Sequence, residues 1–290
     1  MNISQWLTEA GKYLAERRPG AGRTDAEAIL EHLTGKNRTS LYRDGEDEMP
    51  PGLEKPALDL VERRAGGEPL AYITGHKEFM GLDFYVSQAV LIPRPETELL
   101  VEKAADILKN FYPTTANRPV VADIGAGSGA IAVTLAVLLN LPMVYATDIS
   151  PEALNVARRN AAGNGVGERI DFRQGDLLSP LTEIPGFRAD LLTANLPYVP
   201  SREIPLLMTD VRDHEPHLAL NGGEDGLDLY RRLIPVAFHT LHKGGYLLME
   251  IGPGQEAALR GMLRAGWRVE ILRDLAGRER VVSAQRAGIL

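Results

Sequence analysis

The sequence predicts an α/β protein in which a small helical domain precedes a doubly wound, mostly parallel sheet. From residue 119 onward, short apolar segments alternate with helical patterns, which is typical of successive βαβ units. Over the first 66 residues, apolar side chains recur at helical spacing and no strand pattern is visible. The length of 290 residues is enough for one large domain or two modest ones.

The first segment should contain three helices. The apolar residues of the first helix are Ile3, Trp6, Leu7, Ala10 and Leu14. Thr24 and Glu27 have the spacing of a capping box that would start the second helix, and Gly35 would end it. A third helix is expected over residues 53–65. We assign residues 1–71 to a helical domain.

The next segment changes character and is expected to connect two domains. The stretch EFMGLDFYV alternates around Gly81, which indicates a short hairpin. Two prolines then flank Arg94, so the chain should stay extended until Pro95 starts a helix in its first turn. We assign residues 72–95 to the hairpin and connector, and residues 96–290 to the second domain.

The second domain is predicted to hold seven strands with helices between them. The expected strands are 120–124, 143–147, 170–173, 191–194, 246–251, 268–272 and 279–285. The expected helices are 130–139, 151–164, 226–241 and one that begins at residue 255. We expect the last two strands to form a hairpin. In such sheets the ligand binds beyond the carboxyl ends of the strands, at the point where the strand order reverses.

Composition and charge restrict the classes of function. Hydrophobic content of 44% and charged content of 24% are ordinary for a globular protein. The absence of cysteine excludes disulfides, a thiol nucleophile and thiolate metal ligands. The net charge of −7 and the lack of a basic stripe argue against direct nucleic-acid binding. Without a signal-peptide pattern or an apolar run of about 18 residues, we expect a cytoplasmic protein with no membrane contact.

A glycine-rich loop follows the first strand of the second domain. Its residues are Gly125, Ala126, Gly127, Ser128 and Gly129, followed by Ala130. Glycines allow the chain to turn sharply and a ligand to approach the backbone closely. Asp148 ends the next strand, where a carboxylate can accept hydrogen bonds from both hydroxyls of a ribose. Loop and acid together predict a nucleoside-containing cofactor, and the loop also satisfies a form used for NAD.

Asn195 favours S-adenosylmethionine over NAD. A primary amide nitrogen is a poor nucleophile, and methyl transfer requires its lone pair to point along the carbon–sulfur axis. The side-chain oxygen of Asn195 and the main-chain carbonyl of Leu196 could hold such an amide in place and stabilise the charge that develops on nitrogen. Pro197 would direct that carbonyl outward, and the ring of Tyr198 would pack on the flat face of the amide.

With these features in view, the sequence resembles the peptide chain release factor N5-glutamine methyltransferases over nearly its whole length. The segments that carry the resemblance are PLAYITGHKEFMGLDFYVSQAVLIPRPETE, VVADIGAGSGAIAVTLA, ATDISPEALNVARRNA, EPHLALNGGEDGLDLYRRLI, LLMEIGPGQ and DLAGRERVV. The resemblance implies a helical substrate-seating domain followed by a Rossmann-like methyltransferase sheet. It also implies S-adenosylmethionine as the methyl donor and, as substrate, the glutamine of the GGQ loop of bacterial release factors.

The resemblance also implies roles for individual residues. Residues 125–129 would line the methionine and ribose part of the cofactor, Asp148 would bind the ribose, and Asp176 with Leu177 would lie at the adenine. Asn195 would contact the methyl donor and clamp the substrate glutamine together with Leu196, Pro197 and Tyr198. Arg94 and Glu98 would wall the pocket.

The tetrapeptide at Asn195 departs from the family pattern, which is Asn-Pro-Pro-Tyr, because Leu196 replaces the first proline. The fixed φ that is lost is typically worth about 0.4–1 kcal/mol of preorganisation, so we expect slower catalysis at worst.

Three other functions remain open at this point. One is an adenine-N6 methyltransferase, which must also hold a planar amine but needs to flip a base. The others are an NAD oxidoreductase and a cofactor-binding protein without activity. A metal site at His214 and His217 is disfavoured because no third ligand is evident, and we expect no metal.

Overall fold

The computed structural model describes residues 1–111, 118–264 and 266–288. The chain forms two compact units, the first made of Met1–His76 with Met208–His214 and the second of Lys77–Leu207 with Glu215–Leu290. No pattern in the sequence had associated residues 208–214 with the first unit. In the described part of the chain, no helix is both long and apolar enough to cross a membrane.

The first unit is helical. Its helices, numbered along the chain, are α1 (Ile3–Arg17), α2 (Arg23–Thr34), α3 (Arg38–Arg43), α4 (Glu54–Ala65), α5 (Leu70–Thr74) and α10 (Thr209–His214). The short helices α3 and α5 had not been predicted. Leu7, Leu14, Ile29 and Leu30 are fully buried and form the centre of its apolar core.

The start of α2 corrects the predicted capping box. Gly22, not Thr24, is the N-cap, and the carboxylate of Asp25 accepts a hydrogen bond from the Gly22 N–H at 3.1 Å. Because Asp25 already satisfies this N–H, the helix begins one residue before Thr24. Gly35 ends α2 in the left-handed conformation at φ +66°, as predicted.

The second unit contains a two-stranded hairpin and a seven-stranded sheet flanked by helices. The strands are β1 (His76–Phe79), β2 (Leu82–Tyr85), β3 (Val121–Ile124), β4 (Val144–Asp148), β5 (Ile170–Gln174), β6 (Ala189–Ala194), β7 (Leu241–Glu250), β8 (Trp267–Arg273) and β9 (Glu279–Arg286). The helices are α6 (Glu96–Phe111), α7 (Ala130–Leu138), α8 (Pro151–Gly163), α9 (Ser179–Thr182), α11 (Asp228–Thr240) and α12 (Glu256–Met262).

The sheet has the order β5-β4-β3-β6-β7-β9-β8. The first five strands of this order run parallel, whereas β9 pairs antiparallel with β7 and β8. The predicted α/β fold and the predicted terminal hairpin are therefore confirmed. Two apolar clusters of buried side chains pack in this unit, and Phe84, Leu100 and Tyr230 are among their largest members.

The order of the strands reverses between β3 and β6. In the register of these two strands, Ile124 lies opposite Ala194, and Ile124 also lies opposite Thr147 of β4. Gly125 and Asn195 therefore follow directly after paired positions on strands that are about 4.8 Å apart. The fold brings the glycine loop and the asparagine to the same edge of the sheet.

Candidate active site

A cavity of about 350 Å³ opens at this edge, beyond the carboxyl ends of β3, β4, β5 and β6. Its volume falls within the range of about 300–1,000 Å³ that is usual for small-molecule sites. Nine of the residues predicted for the site line it: Gly125, Gly127, Ser128, Asp148, Asp176, Leu177, Asn195, Leu196 and Pro197. The structure thus gathers residues from four strand ends around one space.

The glycine loop needs its glycines for two separate reasons. Gly125, Gly127 and Gly129 all have positive φ, at +77°, +54° and +81°, a conformation in which other residues are strained. A Cβ on Gly127 would meet no protein atom within 4 Å, so this backbone faces open space beside the cavity. A Cβ on Gly125 would instead lie 2.9 Å from the Leu196 side chain.

The Asp148 carboxylate is fixed by main-chain donors. The N–H of Gly127 donates to one oxygen at 2.8 Å, and the N–H of Ser150 donates to the other at 2.9 Å. Burial raises the pKa of Asp148 above its ordinary value, and these N–H groups act in the opposite direction. Each oxygen has a second lone pair, so the fixed carboxylate can accept the hydroxyls of a ribose.

Asp176 and Leu177 line the cavity after β5. Arg232 of α11 forms an ion pair with Asp176 at the surface. Leu177 has a φ of +50°, which is rare for a residue with a side chain, and its carbonyl accepts a hydrogen bond from the Thr147 hydroxyl at 2.8 Å. Leu177 and Ile149 both line the cavity and are apolar.

Asn195 is held by a hydrogen bond that the sequence did not indicate. Its Nδ2 donates to Oγ1 of Thr97 at 3.1 Å, and Thr97 lines the same cavity. Among the residues that the structure describes, no donor is hydrogen-bonded to Oδ1 of Asn195. The carboxamide therefore keeps an acceptor for another molecule.

The carbonyl of Leu196 differs from the expectation. Its oxygen lies 3.4 Å from the hydroxyl of buried Tyr230, although that hydroxyl donates mainly to the carbonyl of Glu250 at 2.5 Å. The Leu196 side chain is buried, with 3% of its surface exposed. This carbonyl therefore faces Tyr230 of α11. The contact does not agree with the outward direction that Pro197 was expected to give the carbonyl.

Four predicted residues do not line the cavity. Ala126 is buried beneath the loop, and Gly129 packs against Ala157 of α8. The hydroxyl of Tyr198 lies 3.3 Å from Glu250 Oε1, so this end of the ring is directed into the protein. Glu98 accepts a hydrogen bond from the Met80 N–H at 3.4 Å and so contacts the hairpin, not the cavity.

Arg94 does line the cavity, on the connector that follows the hairpin. Its guanidinium forms an ion pair with Glu215, which is almost entirely buried. Glu215 also accepts a hydrogen bond from the Ile92 N–H at 3.4 Å. The connector is therefore tied to the segment after α10 by a buried carboxylate.

Two buried carboxyl groups at this end of the sheet were not among the residues predicted from the sequence. Asp123 in β3 is fully buried, accepts a hydrogen bond from the Thr193 hydroxyl at 2.8 Å, and burial raises its pKa to about 7. Glu250 ends β7, is 1% exposed, and burial raises its pKa to about 7 as well. The signal in the sequence was an acidic residue inside an otherwise apolar strand, because a buried carboxyl group requires hydrogen-bond or charge partners.

The residues present fit S-adenosylmethionine. The glycine loop offers bare backbone, Asp148 offers fixed acceptors for a ribose, and Leu177 offers an apolar surface for a base. Within the described ranges, no group of three His, Cys, Asp or Glu side chains is arranged to hold a metal ion.

Comparison with known proteins agrees with this architecture. Residues 5–75 match the family model described as the PrmC N-terminal domain, and residues 121–214 match a methyltransferase domain. A methyltransferase of known structure from Pyrococcus furiosus superposes with a TM-score of 0.50 at 21% identity, covering 79% of this chain and 98% of that one. At this identity the likeness concerns the fold alone.

Relatives in sequence extend the comparison to the whole chain. The release factor glutamine methyltransferase of Moorella thermoacetica is 45% identical over 289 residues, which is 99% of both chains. The protein of the same name from Deinococcus radiodurans is 40% identical over 99% of this chain and 100% of its own. Relatives this similar over the full length establish the family and, with it, the S-adenosylmethionine-dependent chemistry. The chain belongs to the release factor glutamine methyltransferases.

Proposed function

We propose that the chain methylates the side-chain amide nitrogen of the glutamine in the GGQ loop of a bacterial peptide chain release factor. The names of the relatives support the substrate. The observation that carries the proposal is the position of Asn195, which lines the cavity beside the glycine loop and Asp148. S-adenosylmethionine supplies a methyl group activated by a sulfonium when it is bound there.

Asn195 acts by orienting the substrate, since a carboxamide is too weak a base to remove a proton from another amide. Its Nδ2 is engaged by Thr97, so Oδ1 is the atom that can accept a hydrogen bond from the NH₂ group of glutamine. This hydrogen bond fixes the plane of the substrate amide and stabilises the positive charge that builds on its nitrogen. Fixed geometry of this kind can lower a barrier by up to about 7–11 kcal/mol in ideal cases.

The remaining predicted residues complete this assignment. Residues 125–129 and Asp148 hold the ribose and methionine part of the methyl donor, and Asp176 with Leu177 forms the adenine end. Leu196 and Pro197 wall the substrate side of the cavity. We assign Tyr198 to the substrate side of the site, and the contact of its hydroxyl with Glu250 supports a fixed position of the ring. We assign the seating of the release factor to residues 1–71.

The partner is a protein and not a nucleic acid in this proposal. The net charge of −7 is unfavourable for a phosphate backbone, and 39 acidic side chains outnumber 32 basic ones. Because the proposed substrate is a release factor, we also propose that the enzyme works in the cytoplasm.

Mass spectrometry of a release factor tests the proposal. Incubation with the enzyme and S-adenosylmethionine should add one methyl group to the GGQ peptide, at the glutamine, and a release factor with glutamate at this position should stay unmodified.

Asn195→Ala should lower turnover by about 100-fold or more, while the affinity for S-adenosylhomocysteine changes less. Asn155→Ala on the exposed side of α8 is the matched control. Methylation at another residue, or turnover of Asn195→Ala within a few-fold of wild type, would refute the assignment.

A further inference from the structure

A chain of buried hydrogen bonds continues from Asn195 into the protein. Asn195 Nδ2 donates to Thr97 Oγ1 at 3.1 Å, and the Thr97 hydroxyl donates to Glu250 Oε2 at 2.6 Å. Thr97 is 4% exposed and Glu250 is 1% exposed. The three residues come from the end of β6, the first turn of α6 and the end of β7, so the fold assembles this chain from distant parts of the sequence.

The number of hydrogens on the Thr97 hydroxyl determines the direction of these hydrogen bonds. A threonine hydroxyl has one hydrogen, and at Thr97 this hydrogen is given to the Glu250 carboxylate. The Thr97 oxygen can then only accept from Asn195, so the NH₂ side of the Asn195 carboxamide must face it. The oxygen of the same planar group is thereby turned away from Thr97.

We infer that Thr97 and Glu250 are positioning residues that orient the Asn195 carboxamide, with its oxygen presented to the substrate amide. The inference rests on the proposed function of Asn195 as the acceptor for glutamine. Neither residue needs to touch the substrate glutamine, because each acts through the orientation of Asn195. The carboxylate form of Glu250 is the one that maintains the direction of every hydrogen bond in the chain.

The surroundings of Glu250 make its charge sensitive to pH. Burial raises its pKa to about 7, the hydroxyls of Thr97 and Tyr198 act in the opposite direction, the charge of Glu96 on α6 raises it further, and Arg280 on β9 lowers it. The hydroxyl of Tyr230 on α11 donates to the main-chain carbonyl of Glu250 at 2.5 Å. The carboxyl group is therefore charged above about pH 7 and neutral below it.

Protonation of Glu250 would reverse the direction of the hydrogen bonds that join it to Thr97 and Asn195. A neutral Glu250 can donate its own proton to Thr97 Oγ1, which leaves the Thr97 hydrogen to be donated to Asn195. Asn195 would then turn its oxygen toward Thr97 and its NH₂ group toward the cavity, where it would oppose the NH₂ group of the substrate. Methyl transfer should accordingly decline as the pH falls through about 7, where Glu250 is neutralised.

Three substitutions, followed by steady-state kinetics, test the role of these hydrogen bonds. Thr97→Val removes the hydroxyl at nearly constant shape. Glu250→Gln replaces the carboxylate by a carboxamide that does not titrate and has only one acceptor oxygen for the hydroxyls of Thr97 and Tyr198. Both should lower kcat by about 10- to 100-fold, by analogy with outer hydrogen-bond partners that orient metal ligands, with KM and the affinity for S-adenosylhomocysteine within a few-fold. Thr97→Ser should restore most of kcat, and Glu250→Gln should abolish the decline of kcat near pH 7.

Thr134→Val is the matched control. Thr134 on α7 is also fully buried, and its hydroxyl has no hydrogen-bond partner in the described part of the chain. This variant should keep wild-type kcat and its pH profile. Thermal unfolding of every variant verifies that the buried substitutions leave the protein folded.

The side-chain NH₂ signal of Asn195 reports the orientation independently of catalysis. In ¹⁵N-asparagine-labelled enzyme, this signal, assigned by its loss in Asn195→Ala, should titrate with a midpoint near pH 7 and should not titrate in Glu250→Gln. A signal without this titration, or kcat of Thr97→Val within a few-fold of wild type, would overturn the inference even if glutamine is methylated and Asn195→Ala is impaired. Failure of the wild type to methylate glutamine would instead overturn the proposed function, and with it the inference.

Discussion

Leu196 shows how a single residue can be accommodated at a site where the family has proline. Its side chain is buried and lies against Gly125, where a Cβ would approach it to 2.9 Å. The leucine thus fills space between two strand ends. In exchange, the main-chain torsion at 196 is no longer fixed by a ring.

We expect Leu196→Pro to raise turnover. Fixing φ at this position should recover about 0.4–1 kcal/mol of preorganisation, which corresponds to a rate increase of about 2- to 5-fold. The buried leucine side chain is lost at the same time, so the free energy of unfolding should fall by about 1–3 kcal/mol. Steady-state turnover and denaturant unfolding measure the two effects.

Leu196→Ala separates these effects, because it removes the same side chain without fixing φ. It should destabilise the protein and leave turnover no higher than in the wild type. Lower turnover in Leu196→Pro than in Leu196→Ala would show that the torsion is not what limits preorganisation.

Single residues were predictable where the chemistry lies at a strand end. Gly127 and Asn195 follow an apolar strand, Asp148 ends one, and the structure gathers the three around one cavity. Thr97 and Glu250 were missed because their segments have the pattern of a helix start and an apolar strand. Their partners are 98 and 153 residues away in the chain, and only the folded sheet brings them together.

Among the helices of the first unit, α2 and α4 are joined by a buried ion pair. Arg64 Nε lies 2.6 Å from Asp25 Oδ1, and both side chains are about nine-tenths buried. Asp25 also accepts from the Gly22 N–H, and Arg64 donates to the Glu68 carbonyl at 3.1 Å. One carboxylate therefore both starts α2 and connects it to α4.

We expect Asp25→Ala to destabilise the first unit by about 3–5 kcal/mol, because it leaves a buried guanidinium without its charged partner. Urea unfolding followed by the fluorescence of Trp6, which lies in the same core, measures the loss. Asp59→Ala on the exposed face of α4 is the control and should change stability by less than about 0.5 kcal/mol. Equal stability of the two variants would contradict a structural role for the ion pair.

The longer elements were predictable from periodicity, and the shorter ones were not. Helices such as α1 and α11 have enough turns for an apolar stripe to be visible. Helices α3 and α5 have six and five residues, too few for a repeated pattern. The cap of α2 was misplaced because Thr24 and Asp25 both resemble capping residues, and the choice depends on the conformation of Gly22.

For the molecule as a whole, buried carboxyl groups make stability depend on pH. Burial raises the pKa of Asp123 to about 7, well above the value of about 3.9 expected for an unfolded chain. Between these values the folded state holds a proton that the unfolded state has lost. The resulting stabilisation is complete below about pH 4 and disappears as the pH rises through about 7.

We therefore expect the free energy of unfolding of the second unit to fall by about 3 kcal/mol between pH 4.5 and 8 on account of Asp123 alone. Asp123→Asn removes this titration and should reduce the dependence of the free energy of unfolding on pH. This holds whether the variant is more or less stable than the wild type at any one pH. Denaturant unfolding at several pH values measures the slope, and Asp106→Asn on the exposed face of α6 should leave the slope unchanged. A wild-type stability that rises over this range would contradict the account. Burial raises the pKa of Glu250 to about 7 as well, so the ionised form that orients Asn195 is also the form that costs stability.

For the molecule as a whole, the class of fold and the edge of the sheet where the site lies could be predicted from the sequence. Alternation of strands and helices predicted the doubly wound sheet, and a final pair of adjacent strand patterns predicted the hairpin of β8 and β9. The association of residues 208–214 with the first unit could not be predicted, because it depends on contacts between segments far apart in the chain.

The central claim concerns the direction of one carboxamide, and neutron diffraction locates its hydrogen atoms directly. The measurement is a neutron structure of the enzyme above pH 7 with S-adenosylhomocysteine and a GGQ peptide. We predict the Asn195 NH₂ group on Thr97 and its oxygen about 2.9 Å from the glutamine nitrogen. An Asn195 NH₂ group that faces the peptide, or a glutamine amide beyond hydrogen-bond distance of Asn195, would contradict the account.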